Sequence, residues 1–450
     1  MGNNGSKGEQ GKASPTPRDF DKEFSSLDTD EQLSRFRISR PADLPYSMQA
    51  KDAEGEMKLF LLLREELQAR LTIEKEWETT QREEIPFASM DISDEALSQD
   101  AYKRPAWLKK VRVLHLTNNK RLSTLPQKVI SGFSDLEMVS LQDVEGTGIT
   151  EIESFAISSC PMLRHISLKA FRDVTVIHLQ FLFGCGKLER VDFAPLAKVK
   201  TLGDGFLSSA RSLRELDLTP LTSLSGAVPP PGTFSRDKHW EGVLPNNFCN
   251  GLDRICRVQF PAAWSGRFKA IGSQFFYDAK NLEEIDLSAF TGVELVGTWF
   301  LKDCAGLKVV DLSPLCKLTR IEESFLEGCS SLAKIDFQPL SNVTHIRDRF
   351  MSGCKGIQEV DFTPLAQLEC LGNYFMNSCA LEEVDLAPFR NVTKYPFGKG
   401  DADIERICKP REKHNFFTYQ TPGLKRIKNC PRVLEYDISY HSKAVEIHFA

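Results

Sequence analysis

Three sets of residues in this 450-residue chain have the type and spacing to do chemistry. Seven aspartates, Asp192, Asp217, Asp286, Asp311, Asp336, Asp361 and Asp385, hold one position of a repeated phrase. A row of carboxylates can gather cations or a basic protein, or it can fix the turns that follow it. Six cysteines, Cys160, Cys185, Cys304, Cys329, Cys354 and Cys379, also share one position. Thiolates in register could bind a metal or exchange electrons, whereas protonated thiols are small apolar fillers. No histidine shares that register, which favours the filler role. At the N-terminus, M-G-N-N-G-S fits M-G-x-x-x-[ST], the pattern for myristoylation of Gly2 once Met1 is removed. Ser6 fills the hydroxyl position and Lys7 follows it.

Other chemistry is not written in recognisable form. The eight histidines are scattered, and neither H-E-x-x-H nor G-x-S-x-G occurs. The stretch GEQGKA at 8–13 lacks the first Gly and the final Ser/Thr of a phosphate loop. The acids that cluster repeat in equivalent settings, whereas an acid–base pair needs two different environments. These features predict a non-enzymatic protein without cofactor, metal or small-molecule substrate. A net charge of −5 gives no pull toward nucleic acid.

The elements that must position these residues come from internal repetition. LEEIDLSAF at 282–290, LKVVDLSPL at 307–315, LAKIDFQPL at 332–340, IQEVDFTPL at 357–365 and LEEVDLAPF at 381–389 follow one another at steps of 25, 25, 25 and 24. LERVDFAPL and LRELDLTPL precede them at Leu188 and Leu213, with degenerate copies at Val111, Leu136, Leu163 and Ile255. Apolar residues at relative positions 1, 4 and 6 give L-x-x-L-x-L, a strand with one face buried. Each aspartate lies between two inward residues and therefore points out of the strand. Neighbouring parallel strands would put successive carboxylates about 4.8 Å apart. Neighbouring cations such as Lys334, hydrogen bonds to Ser313 or Thr363, bound cations or a basic partner could each offset that repulsion. The alternative role is local, with Asp fixing a D-x-[ST]-P turn through its own side chain.

A second motif, F-x-x-x-C, precedes most strands. Phe181, Phe206, Phe248, Phe275, Phe300, Phe325, Phe350 and Phe375 hold one position, which accounts for much of the excess of 30 Phe over 8 Tyr. Stacked units would bring these rings into a spine, each burial worth about 2–3 kcal/mol. With Cys four residues on, the motif is expected to form one helical turn.

The phrase SFLEGCSSLAKIDF resembles BspA-like leucine-rich repeats of bacteria and protists over about residues 111–389. The insertion of D-[LF]-x-P-L departs from the common form of that family. The resemblance implies an α/β leucine-rich-repeat solenoid of about eleven units, with a parallel concave sheet and short helical or irregular convex segments. The fold hosts many functions and selects none of them.

Four segments are expected. Residues 1–50, polar and rich in Gly, Ser, Pro and charge, read as a disordered tail carrying the acylation motif. Residues 51–110 read as a helical cap, its 51–84 helix ended by Pro86. The array spans 111–395, and 396–450 holds a second insertion and the C-terminal cap. Between Leu213 and Ile255 the step is 42, and the extra segment at 226–247 carries the run Pro229–Pro231 and the pair His239–Trp240, a docking candidate.

No run of about 18 apolar residues or secretory h-region occurs, so the twelve cysteines are expected as reduced thiols in the cytoplasm. One acyl chain gives only reversible membrane binding. The expectation is a peripheral, membrane-visiting interaction scaffold with a protein partner, basic if the aspartates meet it. A cell-surface adhesin and the regulatory subunit of an enzyme complex are the alternatives.

Overall fold

The computed structural model describes residues 87–91, 111–117, 123–141, 148–228, 240–396, 408–410, 423–431, 434 and 445–449. All lie within the unit Ile73–Ala450. Gly2, Ser6, Lys7, the tail 1–50 and the 51–84 helix lie outside the described residues.

Most repeats contribute two short parallel strands, one to each of two stacks, although the L-x-x-[IV]-D segments at 188–193, 332–337 and 357–362 run alongside without strand pairing. The first sheet is built from the L-x-x-[IV]-D segments. Phe87–Asp91 pairs with Val113–Thr117, which pairs with Met138–Leu141 and then His165–Ile166. Further along, Glu215–Asp217 pairs with Arg257–Gln259, Glu284–Ile285 with Val309–Val310, and Glu383–Asp385 with Arg426–Cys430. The second sheet stacks the [IVL] segments eleven or so residues later, such as Glu151–Ile152, Val176–Ile177 and Thr201–Leu202. It continues through Arg320–Ile321, His345–Ile346 and Cys370–Leu371. Alternation fixes which side is buried: Leu213, Leu216 and Leu218 are at most 3% exposed while Asp217 between them is exposed.

The solenoid reaches beyond the recognised repeats at both ends. Phe87–Asp91, within the segment expected to be a helical cap, is a strand one rung before the first repeat. At the other end Arg426–Cys430 and Glu446–Phe449 add two further rungs to the first sheet. The insertion after Leu213 leaves the second sheet at Gly226–Ala227, returns antiparallel through Trp240–Glu241, and resumes parallel pairing at Val243–Leu244.

The phenylalanine spine is present. Phe300 and Phe325 stack at 5.1 Å between centroids, and Phe325 and Phe350 at 5.8 Å, with interplanar angles of 13° and 8°. The same stack runs from Phe181 to Phe375, every ring buried. Each contact adds about 0.5–1.5 kcal/mol to the burial of the ring itself.

The F-x-x-x-C segment is not the helical turn expected from its spacing, and the described residues contain no α-helix. Around each Phe the residues at −1, +1 and +3 take positive φ, as at Trp299 (63°), Leu301 (51°) and Asp303 (59°). This alternation flattens the segment into a ribbon whose N–H groups point to both neighbouring turns. Leu301 donates to the carbonyl of Phe275 in the preceding turn, and Trp299 and Asp303 to Glu323 and Glu327 in the following one. Bonds between turns replace the i→i−4 bonds of a helix and offset the left-handed conformations, which cost about 1–2 kcal/mol per residue.

Candidate functional site

The seven aspartates stand exposed on the first sheet, and each does the same local work. Oδ1 of Asp192, Asp217, Asp286, Asp311, Asp336, Asp361 and Asp385 accepts the backbone N–H two residues on, at 2.8–2.9 Å. That bond holds the chain as it leaves the strand and enters a three-residue 3-10 turn, such as Ser313–Leu315 or Thr363–Leu365. Proline at the second residue of several of these turns presets φ. D-[LF]-x-P-L is therefore a turn signature. Hydrogen bonds from Ser313 and Thr363 hold the carboxyls of Asp311 and Asp361 below the usual aspartate range.

Local capping occupies one oxygen and leaves the charge in place. Five aspartates, Asp286 to Asp385, occupy consecutive turns, bounded at one end by Gln259 and at the other by Lys428. Counting the other exposed positions of these strands, residues 283–385 carry ten acidic side chains against Lys308 and Lys334. Lys308 is spent on Glu283 at 2.7 Å. Near the C-terminal end Glu382 is paired by Lys425, and Glu383 by Arg426 and Lys428. In the middle of the face Asp311, Asp336, Glu359 and Asp361 stand against Lys334 alone. Val309 sits there with 64% of its surface exposed, an apolar contact point beside Glu284 in the neighbouring strand.

The cysteine column is interior. Sγ of Cys304, Cys329, Cys354 and Cys379 each donates to a carbonyl 28 residues earlier, at 3.1–3.3 Å. Burial pushes the thiols of Cys304 and Cys379 up to about 12 and that of Cys354 up as well. At neutral pH they are thiols, chemically inert and tightly packed.

His239 lies outside the described residues. Trp240 is described by its backbone alone, which pairs with Ala227 in the antiparallel return. The structure therefore brings the aspartates together on one face, while the Gly2 motif lies outside the described residues. Sequence reasoning did not single out Val309, whose one signal is a valine at an outward position where the other aspartate-bearing repeats carry Glu, Lys or Arg. Among the described residues no helix is long and apolar enough to cross a membrane.

The family profile described as BspA type Leucine rich repeat region matches in six copies over residues 107–227 and 266–400. Solved structures that resemble the chain include a leucine-rich cell surface protein of Faecalibacterium prausnitzii, at 16% identity over 79% of this chain and 87% of that one, TM-score 0.34. The functional domain of InlJ from Listeria monocytogenes, which includes a cysteine ladder, matches at 15% identity over 72% of this chain and 64% of that one, TM-score 0.32. The pneumococcal vaccine antigen PcpA matches at 12% identity over 80% and 84%, TM-score 0.33. No curated protein matches the chain. The repeated strand, turn and buried Phe–Cys ribbon, with the family profile covering more than half of the sequence, make this chain a member of the BspA-type leucine-rich repeat family.

Proposed function

We propose that the protein is a non-enzymatic interaction scaffold whose first sheet receives a basic protein partner. The observation that supports this most is the net acidic strip around Asp311, Asp336 and Asp361, with Lys334 as its one cation and exposed Val309 beside it. Each carboxylate is held in place by its own backbone bond, so little ordering entropy remains to be lost on binding. Acidic side chains in register steer and orient a basic surface, and an apolar contact adds desolvated area at the centre. The chain with Asp311→Asn, Asp336→Asn and Asp361→Asn tests this in an affinity capture at rising salt. Basic proteins retained by the wild type and lost from the variant support the reading; equal retention overturns it.

The second part of the proposal is a reversible tether through a myristoyl group on Gly2. Its support is the acceptor pattern completed by Ser6 and Lys7. A single acyl chain binds weakly, so the scaffold would dwell at a membrane only while its partner is there too. Incorporation of labelled myristate by the wild type and not by Gly2→Ala is the expected result, and absence of label from both refutes the tether.

A further inference from the structure

Glu151, Glu153 and His178 lie on the second sheet, away from the acidic strip. Glu151 opens the strand Glu151–Ile152 and Glu153 follows it, so the two glutamates flank buried Ile152. His178 follows Ile177, the residue paired with Ile152, and thus stands beside Glu153 in the next turn. One potential ligand atom from each of the three residues lies within 4.8 Å of the others, and His178 Nε2 is 3.6 Å from Glu151 Oε2. Nε2 itself is buried and has no hydrogen-bond partner. A buried imidazole nitrogen without a partner is costly unless something else meets it.

The repeat supplies an internal comparison. One turn beyond Gly297 in the same column, the positions equivalent to Glu151, Glu153 and His178 are Arg320, Glu322 and Arg347. There Glu322 is flanked by Arg347 at 3.0 Å and Arg320 at 3.4 Å, so its carboxylate is met by two cations. At the first trio the two arginines are replaced by Glu151 and His178. No lysine or arginine among the described residues pairs with Glu151 or Glu153. Where one trio carries its own cations, the other offers two carboxylates and an imidazole with no cation of its own.

We propose that Glu151, Glu153 and His178 bind a divalent metal ion of the zinc type. One nitrogen and two carboxylate oxygens are ligands that zinc accepts at about 2.0–2.2 Å, with water completing the shell. The imidazole favours zinc over magnesium or calcium, which prefer oxygen alone. The backbone that carries the three side chains is fixed by Ile152 and Ile177, at most 1% exposed.

The test is calorimetric titration of the full chain with ZnCl2, comparing wild type, His178→Ala, Glu153→Gln and His345→Ala, with circular dichroism verifying the fold of each. The comparison subtracts any zinc held by cysteines. The expected result is one more zinc per chain in the wild type and in His345→Ala than in His178→Ala, with Glu153→Gln weakened by about tenfold or more. Excess Mg2+ should not displace the ion. Equal zinc stoichiometry and affinity in wild type and His178→Ala overturns the proposal, as does displacement by magnesium. If His178→Ala fails to fold, unchanged zinc binding by Glu153→Gln overturns it alone.

Discussion

Oδ1 of Asp311 accepts the backbone N–H of Ser313 at 2.8 Å, and the same bond recurs at all seven aspartates of the repeat phrase. Two roles considered for the row, fixing turns and meeting a partner, are therefore separable by chemistry. Asparagine keeps the accepting oxygen and removes the charge, whereas alanine removes both. Asp311→Ala should cost ~1 kcal/mol of stability, the usual worth of a capping side chain, and Asp311→Asn much less. Denaturant unfolding of the two variants measures the difference.

The lowered carboxyls of Asp311 and Asp361 set the sign of an acid effect. A group whose folded value lies below its unfolded value contributes stability above the unfolded value, and loses it as pH falls through the folded one. The double variant Asp311→Asn, Asp361→Asn should therefore lose less stability than the wild type as the pH drops below about 4. Parallel melting curves at neutral and acid pH check this, and an identical pH slope for both proteins would count against it.

Phe325 touches rings on both sides, Phe300 and Phe350, and is 2% exposed. Phe325→Ala should destabilise by about 3–5 kcal/mol, because the cavity lies between two turns that cannot close on each other without breaking their ladder bonds. Phe325→Leu, which keeps most of the volume, should cost distinctly less. Chemical denaturation of both variants measures this.

Much of the fold was legible in the sequence because a repeat writes each structural constraint many times. The positions of Leu213, Leu216 and Leu218, the outward Asp217 and the phenylalanine spine all follow from period and alternation. The ribbon around Phe300 did not follow, because its spacing also fits a helical turn. Its left-handed residues include Trp299 and Leu301, types that give no local hint of positive φ. Glycines at the same columns, such as Gly328 and Gly353, were the one trace of it. The strand at Phe87–Asp91 was missed because FASMD lacks the leucines that mark a repeat. His178 read as one of eight scattered histidines, since its neighbours Glu151 and Glu153 belong to the preceding turn. In the aspartate row the sequence left both roles open, because turn geometry and surface charge require the same residue.

Thiol chemistry should divide the cysteines by position. Cys256 and Cys316 are exposed, whereas Cys304, Cys329, Cys354 and Cys379 are buried with carbonyl partners. A thiol reagent at neutral pH should modify Cys256 and Cys316 at once, and the buried column only at the rate of unfolding. Mass spectrometry of tryptic peptides over time distinguishes the two classes.

The central claim, that the capped aspartates also present a binding charge, is tested most directly by titrating the folded chain with a fluorescent oligolysine peptide at low and moderate salt. Wild type is compared with Asp311→Asn, Asp336→Asn, Asp361→Asn and with a control of equal charge change, Asp135→Asn, Glu241→Gln, Glu294→Gln, placed off the strands of the first sheet. The expected result is salt-sensitive binding that survives in the control and is lost in the aspartate variant, with the melting temperature of that variant close to the wild type's. Equal binding by all three chains, or equal loss in both variants, would contradict it.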